Sequence, residues 1–344
     1  MRYPSFIRPG DPLGFIAPSF GCSIEPYKSC MDNALIYWKD SGYQTVLGPN
    51  AYAGKGCGIS NTPEECAKEF TDFYTSSDAS ALLSVGGGEL MCEILPFIGL
   101  DRIMSSNPKW FMGYSDNTNL TYLLTTICDV ASVYGPCAQS FGMEPVHEYL
   151  QDAKALLEGT KLIFKGYDRY EKESLKSPDN PLAPLNATEP RKITVFDGQK
   201  ITDDKVSFGG RLIGGCLDCL VNLLGTRFDK TKEFIDRYSE DGICWFIESC
   251  ELNPFEIRRA LWQMTNAGWF DRCTGVLIGR PGGDADFEGF DHIEAYLGGL
   301  QSLGVPVVLD IDLGHVAPQI PFMCGAFGKV EAAGQDMSIE YKMI

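Results

Sequence analysis

Trp110-Phe111-Met112-Gly113-Tyr114-Ser115-Asp116-Asn117-Thr118 is the stretch on which the reading of this 344-residue chain turns. Residues 110–112 form a short apolar run of strand type, and Gly113 removes a Cβ where the chain must turn sharply. Beyond Asn117 the period changes. Leu120, Leu123, Leu124 and Ile127 recur at i, i+3, i+4 and i+7, the buried stripe of a helix. Ser115 therefore stands in a strand–turn–helix corner. Such a corner exposes a hydroxyl and aims backbone N–H groups and a positive dipole end at negative charge developing beside it. It has the logic of a nucleophile elbow, with Asn117 in place of the second glycine of G-x-S-x-G. A serine here also serves as a plain N-cap, and the corner alone leaves both roles open.

Working outward, residues 13–17 read as a first buried strand, followed by a helix over about 25–41 and a short strand over 44–47. Thr62 and Pro63 mark a helix start, since proline suits the first helical position. Residues 81–85 form a strand that runs straight into Gly86-Gly87-Gly88-Glu89, after which another helix is expected. A strand near 132–136 and a helix over about 146–157 close the first half. Strands alternating with helices in units of this length predict an α/β fold with a parallel sheet covered on both faces. Four prolines punctuate the polar stretch 166–205, which reads as a crossing segment with room for short antiparallel strands. The boundaries expected are thus 1–165 for a nucleophile-bearing domain, 166–205 for the crossing, and 206–344 for a second domain.

A formal net charge of −17 lacks the basic footprint that nucleic acid or an anionic membrane demands, so neither is expected as a partner. The chain has no apolar signal segment near its start and no apolar run of the roughly 20 residues that cross a bilayer. Thirteen cysteines without a paired framework suit a reducing cytoplasm. The C-x-x-C at Cys216 and Cys219 falls inside a helical pattern and reads as buried thiols rather than a metal or redox pair.

Three polar side chains stand where apolar strands end: Ser115, Glu248 and His315. In open α/β sheets those ends are where ligands bind. A serine nucleophile needs a base, and the base an orienting carboxylate. Of three histidines, His147 lies at a polar helix start and His292 follows the acidic loop 284–291, so both read as solvated. His315, after Gly314 at the mouth of a strand, is the best placed, although a histidine satisfied in a tight turn would look the same. Glu248 ends an otherwise apolar strand, where a carboxylate is costly without a partner, and the other reading is a helix cap. The glycines at 86–88 let backbone N–H groups close on a ligand, yet match no phosphate-binding spacing. A tight turn is the plain alternative.

Taken together, these residues resemble the LD-carboxypeptidases of serine peptidase type, a family that includes the microcin C immunity peptidases. The match lies in Leu95-Pro96-Phe97, Asn107-Pro108-Lys109 and residues 111–118, then in Arg211-Leu212-Ile213-Gly214-Gly215, the strand ending at Glu248, and Gly314-His315. The resemblance implies a Ser115–Glu248–His315 triad without metal or cofactor, with an oxyanion hole from the N–H groups of Asp116 and of Gly87 and Gly88. It implies an N-terminal flavodoxin-like domain, a C-terminal mixed α/β domain with a barrel-like sheet, and a homodimer. Its substrates would be a murein-type peptide cleaved at an L,D amide bond or, alternatively, a peptidyl- or aminoacyl-nucleotide. A ligand-binding pseudoenzyme is the non-enzyme alternative. Glu89 and Arg211 are the expected substrate contacts, with Arg258 and Arg280 as further cations able to read a carboxylate. Two departures bear on substrate: Ser84-Val85-Gly86-Gly87-Gly88-Glu89 replaces the Arg-Gly-Gly-Tyr-Gly of peptidoglycan-recycling members, and Cys216 replaces the usual Asn.

Overall fold

The computed structural model describes residues 1–283 and 286–344, so that 284 and 285 of the expected acidic loop lie outside the described residues. It divides into two compact units. One comprises Met1–Lys161 and Glu173–Asn186, the other Leu162–Lys172 and Ala187–Ile344.

The first unit holds a parallel sheet of β1 (Pro12–Ile16), β2 (Gln44–Leu47), β3 (Ala81–Ser84), β4 (Trp110–Gly113) and β5 (Ser132–Tyr134), in the order β5-β4-β3-β1-β2. Leu13 faces Ala81, Leu83 faces Met112, and Met112 faces Val133, so apolar runs lie in register through the centre. Chain order reverses between β1 and β3, the switch point where loops splay apart at the carboxyl edge. The glycines at 86–88 follow β3 there, and Ser115 follows β4. Around the sheet run α1 (Tyr27–Asp40), α2 (Pro63–Thr75), α3 (Leu100–Ser105), α4 (Thr118–Thr126) and α5 (Glu148–Glu158). Thr62 caps α2, its hydroxyl accepting from the Glu65 N–H at 3.3 Å. The helix expected after the triple glycine is instead a 3-10 turn over Met91–Phe97, because Pro96 inside it donates no hydrogen bond and cannot continue an α-helix.

The second unit is built on a mixed eight-stranded sheet. Its strands are β6 (Ile163–Lys165), β9 (Thr194–Phe196), β10 (Val206–Cys216), β11 (Ile243–Glu248), β12 (Cys273–Gly279), β15 (Val307–Ile311), β17 (Phe327–Ala333) and β18 (Asp336–Lys342). The order is β6-β18-β17-β10-β11-β12-β15-β9, with a parallel centre from β10 to β15 and antiparallel flanks. Two small ribbons, β7 (Arg169–Tyr170) with β8 (Glu189–Pro190) and β13 (Asp286–Phe287) with β14 (Phe290–Asp291), and the strand β16 (Phe322–Cys324) complete the set. The barrel-like sheet expected from the resemblance is open: its edges are two three-residue strands at opposite ends, β6 and β9, and among the described residues they do not pair with each other. Every residue of β11 is buried, the mark of a central parallel strand covered on both faces. Trp245 on it stacks on Trp269 at 5.7 Å and donates its indole N–H to the Trp269 carbonyl. The helices are α6 (Leu217–Leu223), α7 (Thr231–Arg237), α8 (Pro254–Asn266) and α9 (His292–Leu300). Among the described residues no helix is long and apolar enough to cross a membrane.

Candidate active site

In the first unit, Ser115 opens a single 3-10 turn, Ser115–Asn117, that leads into α4. Its φ is 64°, the left-handed region that costs a side-chain-bearing residue on the order of 1 kcal/mol or more. The surroundings hold it there. The Ser115 N–H donates to the Tyr134 hydroxyl at 3.0 Å, and Asn117 Nδ2 donates to the Gly86 and Tyr114 carbonyls, each at 2.9 Å. Asn117 thus ties the glycine loop to the serine corner, a role that its place in the G-x-S-x-G comparison did not suggest. Gly87 lies so close that a Cβ on it would sit 3.1 Å from Ser115 Cβ and 3.2 Å from its Oγ. Gly87 is therefore a close backbone approach to that hydroxyl, while Gly86 faces Phe20 and Gly88 faces Ser19 and Gly58. Glu89, exposed at the end of the loop, donates its N–H to the Gly58 carbonyl at 3.0 Å.

The Asp116 side chain turns inward. Its buried carboxylate accepts from Ser19 Oγ at 2.6 Å, the Met91 N–H at 2.9 Å and Asn119 Nδ2 at 3.0 Å. Burial pushes its pKa up to about 6 against those bonds. The stripe expected on α4 understates its packing, for all nine residues are buried, including Thr118, Asn119, Thr121, Thr125 and Thr126.

In the second unit, Glu248 is the last residue of β11 and has no exposed surface. Its Oε2 accepts from His315 Nδ1 at 2.9 Å. An ionised carboxylate only accepts, so Nδ1 carries the proton and Nε2 is left as the acceptor of the neutral ring. Gly314 makes this pair possible: at φ 89° it takes a backbone shape that suits glycine, and a Cβ there would run into the Glu248 Cγ and carboxylate. Burial works to lower the His315 pKa, but the Glu248 charge and a Cys250 contact outweigh it and carry the imidazole well above its ordinary value. Cys216 ends β10 and is the direct register partner of Glu248 across the parallel ladder. One donor atom each of Cys216, Glu248 and His315 lie within 4.8 Å of one another.

The remaining candidates fall elsewhere. His147 caps α5, Nδ1 accepting from the Tyr149 N–H at 3.3 Å. His292 was expected to be solvated, yet its side chain is 14% exposed and Nε2 meets Asp310 Oδ1 at 2.8 Å, because the turn before α9 folds it onto β15. Arg211 is buried on β10, where Nε donates to Asp241 at 2.6 Å, Nη1 to the Gly325 carbonyl at 3.2 Å, and the guanidinium covers the Tyr238 ring. Its charge is committed within the fold. Arg258 reaches from α8 to the Glu294 carbonyl at 3.3 Å. Arg280 pairs with Asp312 at 2.6 Å, lies over Tyr170, and lines a cavity of about 420 Å³ with Lys172, Lys192 and His292.

Comparison with known proteins places these features in a lineage. The chain is 25% identical to a "probable murein peptide carboxypeptidase" of Bacillus subtilis, over 98% of this chain and 94% of that one. It is 24% identical to the microcin C7 self-immunity protein MccF of Escherichia coli, over 96% and 93%. Among solved structures, an MccF-like protein from Bacillus anthracis superposes with a TM-score of 0.82 at 19% identity, covering 99% of this chain and all of that one. MccF in complex with glutamyl sulfamoyl guanosine gives 0.79 at 21% identity, covering 99% of each chain. Models of the LD-carboxypeptidase N-terminal domain and C-terminal domain match residues 13–135 and 209–330, the first spanning the serine corner and the second both Glu248 and His315. With both halves matched in order, the chain belongs to the LD-carboxypeptidase family of peptidases.

Proposed function

We propose that the chain is a serine carboxypeptidase that hydrolyses an L,D amide bond near the C-terminus of a murein-type peptide. Ser115 is the nucleophile, His315 the general base and then acid, and Glu248 the residue that orients it. The observation that carries this reading is the Glu248–His315 pair: a carboxylate removed from water holds Nδ1–H at 2.9 Å, which makes Nε2 the ring nitrogen that exchanges a proton in the scheme. The strained φ of Ser115, with Gly87 against its hydroxyl, supports the other half of the scheme.

In the reaction, Ser115 Oγ attacks the amide carbonyl carbon while His315 Nε2 accepts its proton. The N–H groups of Asp116, Gly87 and Gly88 stabilise the oxyanion. His315 then returns the proton to the leaving amine as the C–N bond breaks, and water, activated by the same ring, releases the acyl group. Glu89 meets the substrate at the rim of the glycine loop, while Arg211, held by Asp241, takes no part. The protein works in the cytoplasm, as a homodimer.

A second reading is favoured by one feature. The glycine loop lacks the Arg and Tyr of peptidoglycan-recycling members, and MccF has been solved with adenosine monophosphate and with aminoacyl sulfamoyl nucleosides. In that reading the same three residues remove an aminoacyl group from a nucleotide. Assaying a murein tetrapeptide beside aspartyl sulfamoyl adenosine decides between them. Release of the terminal D-amino acid, with a fall of roughly 10⁴-fold or more in Ser115→Ala, is the expected result. Turnover of the nucleotide alone transfers the enzyme to the second reading, and full activity in Ser115→Ala overturns both.

A further inference from the structure

Cys216 adds a third donor to the Glu248–His315 pair. The thiol, the carboxylate and the imidazole each bring one ligand atom inside a 4.8 Å span, from three positions far apart in sequence. We propose that Cys216, Glu248 and His315 form a binding site for a zinc-class divalent cation, and that an ion seated there takes His315 out of use as a base. The binding claim stands on geometry alone; the consequence for turnover rests on the proposed function.

A mixed sulfur, nitrogen and oxygen set is what a borderline-soft cation takes, as against the all-oxygen shells of magnesium or calcium. Tetrahedral zinc holds its ligand atoms about 3.3–3.8 Å apart, which the 4.8 Å span accommodates. The framework is fixed. Cys216 and Glu248 face each other across the β10–β11 ladder, and His315 is held by Gly314. Asp218 braces the loop beside the site, accepting from the Cys250 and Glu251 N–H groups at 3.1 and 2.9 Å. The His315 side chain, 19% exposed, gives an ion its way in. Binding releases the thiol proton to solvent and replaces the Nδ1–H bond to Glu248, the ring proton passing to Nε2, so the thiolate and carboxylate together balance the dication and Nε2 can no longer accept. In the structure Cys216 shares a hydrogen bond with its C-x-x-C neighbour Cys219, which the ion would replace with a ligand set that includes a carboxylate 32 residues away.

Cobalt(II), titrated into the reduced full-length chain without oxygen, tests the site by absorbance. One equivalent is expected to bind with a thiolate-to-cobalt charge-transfer band, and zinc to displace it. The band should vanish in Cys216→Ser, shift in His315→Ala, and persist in Cys219→Ser. No band in the parent chain, or an unchanged band in Cys216→Ser with a native melting curve, overturns the site. Because absorbance does not depend on turnover, a chain that hydrolyses neither substrate can still show the band, whereas a hydrolysing chain without it overturns the cation site alone. Inhibition by zinc that a chelator reverses is the expected consequence; full turnover with the ion bound overturns that consequence.

Discussion

His315 carries two opposing pushes, and their balance sets how the proposed enzyme responds to pH. Burial favours the neutral ring, while the Glu248 charge favours the imidazolium and wins together with Cys250. A base must be neutral to work, so kcat/KM should rise with pH through an apparent pKa above the ordinary imidazole value of about 6.5. In Glu248→Gln the limb should move down, and kcat should fall by about 10⁴-fold as the tautomer is lost. A limb that stays put in that variant would show that another group titrates. The same pair affects folding with a definite sign. Its contribution to stability is present below the unfolded-state imidazole pKa and is lost as pH climbs through the raised folded value. At this scale the sequence was informative where a carboxylate ends an apolar strand, for Glu248 closes β11 fully buried and meets His315. It was silent on Asn117, whose carbonyl partner Gly86 lies 31 residues away, and on the commitment of Arg211 to Asp241.

Elements with local punctuation were legible in detail. Thr62 and Pro63 start α2 as their chemistry requires. The structure adds a cap that the sequence reading did not single out: Asn253 starts α8, accepting from the Phe255 and Glu256 N–H groups while Glu256 reaches back to the Asn253 N–H at 2.9 Å. Asn253→Ala should therefore cost about 1 kcal/mol and lower the melting temperature by about 2–4 °C without changing turnover, as calorimetry beside the hydrolysis assay would check. Elements whose end depends on one residue were harder. The helix expected after the triple glycine is a 3-10 turn, in which Pro96 offers no N–H donor. The burial of all of α4 also escapes a stripe analysis, since its threonines satisfy their hydroxyls within the fold: Thr126 donates to the Tyr122 carbonyl at 2.8 Å.

For the whole molecule, the −17 net charge has one direct consequence. A duplex DNA fragment should show no shift with this protein at about 0.1 M salt, because no phosphate contact offsets the mutual repulsion. Retarded DNA in a gel would contradict that. The alternation of strand and helix, the parallel sheet of the first unit and the apolar centre of the second were all readable from the chain, since period and apolar runs are written in neighbouring residues. Tertiary structure alone decided that the second sheet stays open, that His292 meets Asp310, and that Cys216 lies opposite Glu248. Those facts depend on strand register and on how buried charge finds compensation, and both are settled between residues that folding brings together from distant parts of the chain.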